Sequence, residues 1–213
     1  MKTAWIYMAS GFGSRFGENK LMAQLEGKPL YRHGLDCLLR AKRSLEEEDG
    51  WQVCLIVVSQ YREILETAAA LGVQAVYNGA ACEGIAASLR LGTGAAPGDT
   101  DFFVYCVADQ PGLGADSLTG FLRGYVRCGK AMGCVSSGGR RGNPAAFGSR
   151  YRQELTALTG DRGGSRLMKR YPEDVWQYEV EERELRDVDL PEDLRVWRIT
   201  GEGRENARRE NEK

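Results

Sequence analysis

Apolar runs rich in β-branched and aromatic residues recur along the chain at Thr3–Ala9, Val53–Ser59, Val73–Tyr77, Phe102–Ala108 and Ala131–Ser136. Their nearly unbroken apolar character matches strands covered on both faces. Between and after them, apolar positions return every three or four residues, which predicts helices over Leu30–Arg43, Tyr61–Leu71, Gly84–Leu91, Ala115–Arg127, Tyr151–Leu158 and Pro191–Ile199. The last opens with a proline, whose fixed φ and missing N–H suit a first helical turn. Strand alternating with helix is the rhythm of a three-layer α/β/α Rossmann-like fold with a mostly parallel sheet, its first and fourth strands at the centre. After residue 140 the alternation loosens. Short candidate strands stand at Ala145–Phe147 and Val175–Val180 and a glycine-rich loop at Gly160–Gly164, so the C-terminal third is expected to add antiparallel pairing.

The 213 residues, 42% of them hydrophobic, suffice for one sizeable core and are short for two, which gives a single domain over residues 1–200. Beyond Thr200 the chain carries Glu202, Arg204, Glu205, Arg208, Arg209, Glu210, Glu212 and Lys213 with no apolar face, and a disordered tail is expected there. With 29 basic against 30 acidic residues there is no net field to hold a nucleic acid. The apolar stretch Ala4–Ala9 is far shorter than the ~7–15 residues of a signal-peptide core or the ~20 of a membrane span, so a soluble cytoplasmic protein with no membrane partner is expected. The six cysteines form no CxxC pair and His33 is the only histidine, a poor basis for a zinc site. Cys54 and Cys106 lie within apolar runs, where a reduced thiol acts as a small hydrophobe.

Chemistry concentrates in the loop after the first strand, Ser10-Gly11-Phe12-Gly13-Ser14-Arg15-Phe16-Gly17-Glu18-Asn19-Lys20. Small residues at 9, 10, 11 and 13 let backbone N–H groups converge into an anion-binding nest at the carboxyl end of a central strand, and Arg15 and Lys20 add positive charge for a di- or triphosphate. The alternative is an ordinary glycine-rich turn with two solvated cations. A P-loop is excluded because Leu21 follows Lys20 and no glycine precedes it. A dinucleotide fingerprint fails as well: the glycine spacing is one residue too long, and the second strand ends Val57-Val58-Ser59-Gln60 without the acidic residue a ribose needs. An NAD(P) oxidoreductase is therefore disfavoured. Asp109 closes the fourth apolar run, which puts a carboxylate at a strand end beside this loop, where Mg²⁺ can bridge protein and phosphate oxygens; the competing role is a turn or N-cap aspartate before Pro111. Asp187 and Asp189 alternate onto one face just before the Pro191 helix, the natural source of a second carboxylate. Asn78-Gly79 marks a turn, and the helix after it aligns Gly84, Ser88 and Gly92 on one smooth face, fit either for a nucleobase and ribose or for tight helix-to-sheet packing.

Met8-Ala9-Ser10-Gly11-Phe12-Gly13-Ser14-Arg15-Phe16-Gly17, Lys20-Leu21 and Gly27-Lys28-Pro29-Leu30 resemble the opening motif of the nucleotidyltransferases that activate cofactors and sugars. With Asn78, Glu83-Gly84, Ser88, Ala108-Asp109-Gln110-Pro111, Gly142-Asn143-Pro144, Gly160-Asp161 and Asp187-Val188-Asp189-Leu190-Pro191, the chain is most similar to the molybdenum cofactor cytidylyltransferase branch of the MobA-like NTP transferase family, over residues up to about 197. The resemblance implies transfer of CMP from CTP to the phosphate of a molybdopterin-type cofactor with release of pyrophosphate, and a molybdenum hydroxylase as a further partner. It implies nucleotide binding by Met8, Ala9, Ser10, Gly11, Gly13, Ser14, Arg15, Lys20, Asn78, Gly84 and Ser88, with Arg15, Lys20 and Asp109 catalytic. It further implies Mg²⁺ on Asp109 and Asp189, with Asp187 in support, and an acceptor pocket at Asn143, Asp161 and Asp187 flanked by Arg140, Arg141, Arg162 and Arg166. No general base is evident; a phosphate acceptor is already anionic near pH 7 and needs none. Ser10 departs from the small residue whose identity accompanies cytosine or guanine in relatives, which leaves the base open. Rival activities are a guanylyltransferase of the same pathway, a sugar- or polyol-phosphate nucleotidyltransferase, and a noncatalytic cofactor-insertion partner.

Overall fold

The computed structural model describes residues 1–197 apart from 12, 14, 15, 17, 18 and 162. Ser14, Arg15, Arg162 and the charged segment beyond Thr200 lie outside the described residues. The chain begins with β1 (Lys2–Met8), the small hairpin of β2 (Gln24–Leu25) and β3 (Lys28–Pro29), and α1 (Leu30–Asp49). It continues through β4 (Gln52–Ser59), α2 (Arg62–Ala70), β5 (Gln74–Tyr77), α3 (Ile85–Ala95), β6 (Phe102–Val107) and α4 (Ala115–Cys128). The last third holds β7 (Met132–Ser137), β8 (Arg140–Gly148), α5 (Arg152–Thr156), α6 (Ser165–Arg170), β9 (Val175–Glu179) and a helix over 191–197.

Seven strands form one sheet in the order β5-β4-β1-β6-β8-β7-β9. β1 pairs in parallel with β4 and β6 and sits at the centre with β6, as the two most continuous apolar runs predict. β8 runs antiparallel to both β6 and β7, while β9 is parallel to β7, so the expected antiparallel pairing is confined to one strand. Alternation along β1 divides the core. Trp5 and Tyr7 face a layer of α1, α2 and α4 that includes Leu35, Ile64 and Leu118, and Ala4, Ile6 and Met8 face one of α3, α5 and α6 that includes Leu89, Leu155 and Leu167.

Three departures from the sequence pattern have physical causes. α1 runs six residues past Arg43 because Arg123 of α4 holds Glu48 at 2.8 Å and Asp49 at 2.6 Å, a tertiary contact that a period of apolar residues does not report. β8 extends well beyond Ala145–Phe147: its pairing with β7 jumps from Ala145 to Gly142 across Cys134 and Val135, leaving Asn143 and Pro144 in a bulge that breaks the alternation. α6 lies just after the expected loop Gly160–Gly164 and is only six residues long, anchored by buried Leu167 and Met168. No helix of the described residues is long and apolar enough to cross a membrane.

Candidate active site

Because β1 and β6 are neighbours in register, with Met8 opposite Val107 and the Ala108 N–H donating to the Met8 carbonyl at 3.2 Å, the loop after β1 and Asp109 leave the sheet side by side. A cleft of about 250 Å³ opens there, at the carboxyl ends of the central strands, where open α/β sheets bind ligands. Its wall includes Ser10, Gly11, Lys20, Gly84, Ser88, Asp109 and Asp161, with Met8, Ile85 and Val107 as apolar surface.

One end of the cleft is ionic. Asn19 caps a single turn at Lys20–Met22 by accepting from the Leu21 N–H at 3.2 Å, and Leu21 is buried, which anchors Lys20 with its side chain mostly covered. The Lys20 ammonium donates to Asp109 Oδ2 at 2.8 Å and to Asp189 Oδ1 at 3.0 Å. Burial works to lower its pKa, but the attraction and hydrogen bonds of Asp109 and Asp189 outweigh that and raise it above the ordinary lysine value. Asp189 arrives from the far end of the chain: the Val188 N–H donates to the Asp109 carbonyl at 2.9 Å and the Val188 side chain is fully buried, pinning residues 187–189 against the end of β6. Asp193 Oδ2 accepts from the N–H groups of Asp189 and Leu190 at 2.9 and 2.8 Å, so Asp193 caps the final helix and the Asp189 carboxylate is left to face Lys20. Asp187 Oδ1 accepts from Gln110 Nε2 at 2.8 Å, and burial together with the nearby Asp109 charge raises the Asp187 pKa.

The other end is built by close fit. Gly84 has φ +91°, and a Cβ there would lie 2.2 Å from Asp161 Oδ1 and 2.7 Å from the Gly160 carbonyl carbon. The Ala86 N–H donates to the Gly160 carbonyl at 3.1 Å, so the start of α3 and the Gly160 loop are docked backbone on backbone, and Asp161 joins the same wall as Ser88. Asn78 does not reach that wall. Its Nδ2 donates to Ser88 Oγ at 3.0 Å and its Oδ1 accepts from the Ala80 N–H at 3.1 Å, so it orients Ser88 from behind, and the Ser88 hydroxyl keeps its own proton to donate. Ser10 Oγ donates to the Val58 carbonyl at 3.2 Å, which leaves that hydroxyl as an acceptor toward the cleft. Gly13 adopts φ +58°, a left-handed conformation that glycine takes without strain, and its carbonyl accepts from the Phe16 N–H at 2.7 Å.

The structure thus brings Met8, Ser10, Gly11, Lys20, Gly84, Ser88, Asp109 and Asp161 onto one cleft. Asp189 meets it through Lys20. Asn143, in the β8 bulge, is not on the cleft wall, and Asp187 turns to Gln110, so the three expected acceptor positions do not converge. Two residues were missed in the chain pattern. Gln110 is buried and holds Asp187; buried Glu184 accepts from the Gly114 N–H at 2.9 Å and Ser117 Oγ at 3.0 Å, which caps α4. Gln110 was legible only as part of the Ala108–Pro111 run, and nothing near Glu184 signals its partner some 70 residues away. His33 sits on α1 with Nε2 2.9 Å from the Leu25 carbonyl, away from the cleft. Burial pushes the Cys37 thiol up to about 12 and Cys134 to about 11, so neither is a ready nucleophile.

The donor set fits a hard divalent cation. Asp109 and Asp189 place a carboxylate oxygen each within hydrogen-bond range of one cationic atom, and Mg²⁺ is held by one or two carboxylates with phosphate and water completing its shell. Among the described residues no cluster of three or more acidic, histidine or cysteine ligands exists, so the remaining positions fall to substrate and water.

This is the architecture of a nucleotide-transferring α/β enzyme, and the chain belongs to the family of MobA-like NTP transferase domains, whose model matches residues 5–175. Compared with curated protein sequences, it has no significant match. Among solved structures it is similar to Rv0371c from Mycobacterium tuberculosis H37Rv, at 23% identity and TM-score 0.71 over 92% of this chain and 97% of that one. Rv0371c has also been solved in complex with manganese. A nucleotidyl transferase from Methanothermobacter thermautotroptrophicus superposes with TM-score 0.73 at 22% identity, covering 93% and 97% of the two chains. CMP:2-keto-3-deoxy-manno-octonic acid synthetase complexed with CTP shares the fold at TM-score 0.71 and 12% identity over 95% of this chain and all of that one.

Proposed function

We propose that the protein transfers CMP from CTP to the phosphate of a molybdopterin-type cofactor and releases pyrophosphate. The observation that carries this reading is Lys20 held between Asp109 and Asp189 at one end of a cleft whose other end is built from Gly84, Ser88 and Asp161. Joining a nucleotide to a phosphate acceptor brings two polyanions together, so catalysis is chiefly positioning and charge neutralisation. Lys20, with Arg15, neutralises the β and γ phosphates; Ser10, Gly11, Gly13 and Ser14 offer backbone donors with Met8 and Ala9 behind them; Gly84 and Ser88, oriented by Asn78, receive the base and ribose. Mg²⁺ held by Asp109 and Asp189 would supply charge neutralisation at the α-phosphate and the leaving group. Of the three expected acceptor residues, Asp161 is the one on the cleft wall and borders the acceptor. Cytosine is favoured because a structural neighbour is solved with CTP; the Ser10 hydroxyl, its proton engaged by Val58, presents an acceptor that the exocyclic amine of either cytosine or guanine can use, and so relaxes the choice between them. Its thiols, all free, suit a reducing cytoplasm, with a molybdenum hydroxylase as recipient of the product. A guanylyltransferase or a sugar-phosphate nucleotidyltransferase would call for the same charge neutralisation at the ionic end.

The test is a pyrophosphate-release screen of CTP, GTP, ATP and UTP, each with and without the molybdenum cofactor and Mg²⁺. Release that depends on CTP and on the cofactor together is expected. Release with a sugar phosphate but not with the molybdenum cofactor would replace the acceptor, and preference for GTP would replace the donor.

A further inference from the structure

The loop after β1 is held from behind by three successive residues at the end of β4. Ser59 Oγ donates to the Ala9 carbonyl at 2.7 Å, Gln60 Nε2 to the Ser10 carbonyl at 2.7 Å, and Tyr61 OH to the Gly11 carbonyl at 2.9 Å. Regular pairing of the two strands does not require this arrangement, since it closes with the Ala9 N–H on the Val58 carbonyl at 2.8 Å. A trans peptide is planar, and its C=O points opposite to the N–H of the following residue. Drawing the carbonyls of Ala9 and Ser10 toward β4 therefore turns the N–H groups of Ser10 and Gly11 the other way, toward the cleft that these two residues line. It also withdraws carbonyl lone pairs from any anion placed there.

We infer that Gln60 and Tyr61 are positioning residues for the phosphates of the nucleotide, acting through the loop backbone without touching the ligand. The inference rests on the reading of the cleft as a nucleoside triphosphate site and adds a second row of residues to it. Neither side chain belongs to the fully buried core, and the backbone that carries them is fixed independently: the Tyr61 N–H donates to Ser59 Oγ at 3.0 Å, the Asn78 N–H to the Ser59 carbonyl at 2.8 Å, and the Leu65 N–H to the Tyr61 carbonyl at 3.2 Å. Removing only the amide of Gln60 or the hydroxyl of Tyr61 thus frees a loop carbonyl and leaves the scaffold in place. Ser59, fully buried and serving two partners, is unsuited to such a test.

The experiment is calorimetric titration of the full chain, wild type, Gln60→Met and Tyr61→Phe, with Mg²⁺ present, using CTP, inorganic pyrophosphate and cytidine, with thermal unfolding in parallel. One hydrogen bond to the loop predicts a loss of roughly 5- to 10-fold in affinity for CTP and for pyrophosphate in each variant. Cytidine affinity and the unfolding midpoint should stay at wild-type values, a split that a general packing role does not produce. Variants that bind CTP and pyrophosphate within twofold of wild type overturn the inference, as does an equal loss for cytidine. A wild-type chain that binds neither CTP nor pyrophosphate overturns the nucleotide reading itself and the positioning role with it.

Discussion

The two ends of the cleft are made by different means. At the ionic end, Lys20, Asp109 and Asp189 come from three distant parts of the chain and meet through charge, each still able to exchange partners. At the opposite end, Gly84, Gly160 and Asp161 meet through shape, with backbone packed so closely that a single methyl group has no room. An end built on exchangeable charge can take phosphates and a cation with little regard to the rest of the ligand. An end built on shape discriminates, and it does so at the cost of tolerance to substitution.

The largest effect is expected at the ionic end. Asp109→Ala removes a carboxylate from a strand end and little core volume, and steady-state assays of pyrophosphate release should show kcat/KM reduced 100-fold or more, about 3 kcal/mol in the transition state. A reduction of less than tenfold would make this end an ordinary surface ion pair. Gly84→Ala should act on the fold first: it combines a left-handed φ with overpacking against backbone, and urea unfolding should report a loss of about 2–3 kcal/mol. If the variant keeps wild-type stability, the close-fit description of that wall is wrong. Asn78→Ala, which strips partners from buried Ser88 and from the Ala80 N–H, should cost about 1–2 kcal/mol in the same measurement, whereas Ser88→Ala should chiefly weaken nucleotide binding. Equal behaviour of the two would erase the distinction between a wall residue and the residue behind it. Smallest is Ser10→Ala, which should widen the CTP-over-GTP ratio of kcat/KM by about 1 kcal/mol, roughly fivefold; an unmoved ratio would transfer base choice to the Gly84–Ser88 wall.

The parallel half of the sheet was legible because its strands are apolar on both faces: β1, β4 and β6 were located within a residue or two from that pattern alone. The antiparallel strand was half hidden, since the bulge at Asn143 and Pro144 interrupts the period that would have extended it. Among site residues, Lys20 and Asp109 were visible as charges next to strand ends, which topology alone brings together. The role of Asn78 was not, because a buried amide that orients a hydroxyl looks in one dimension like an amide that binds a ligand. Likewise, Asp189 stands just before the final helix, and only the hydrogen bonds of the Asp189 and Leu190 N–H groups to Asp193 show that Asp193 reaches back over the helix start. Ser59 and Gln60 were read for the ribose carboxylate they lack, while their contacts to residues 50 positions earlier lay outside any local pattern.

Lys20 has one further consequence, which concerns the order in which ligands arrive. Its ammonium lies between Asp109 and Asp189, the two carboxylates proposed to hold a divalent ion, so the ionic end of the cleft sets one positive charge against two negative ones. A divalent ion approaching alone must compete with that resident charge, and a triphosphate approaching alone must draw Lys20 away from two carboxylates. Each ligand removes the obstacle to the other, and by thermodynamic reciprocity the factor by which nucleotide tightens metal binding equals the factor by which metal tightens nucleotide binding. On the proposed reading of the cleft, the lysine makes metal and nucleotide each bind more tightly in the presence of the other than by itself.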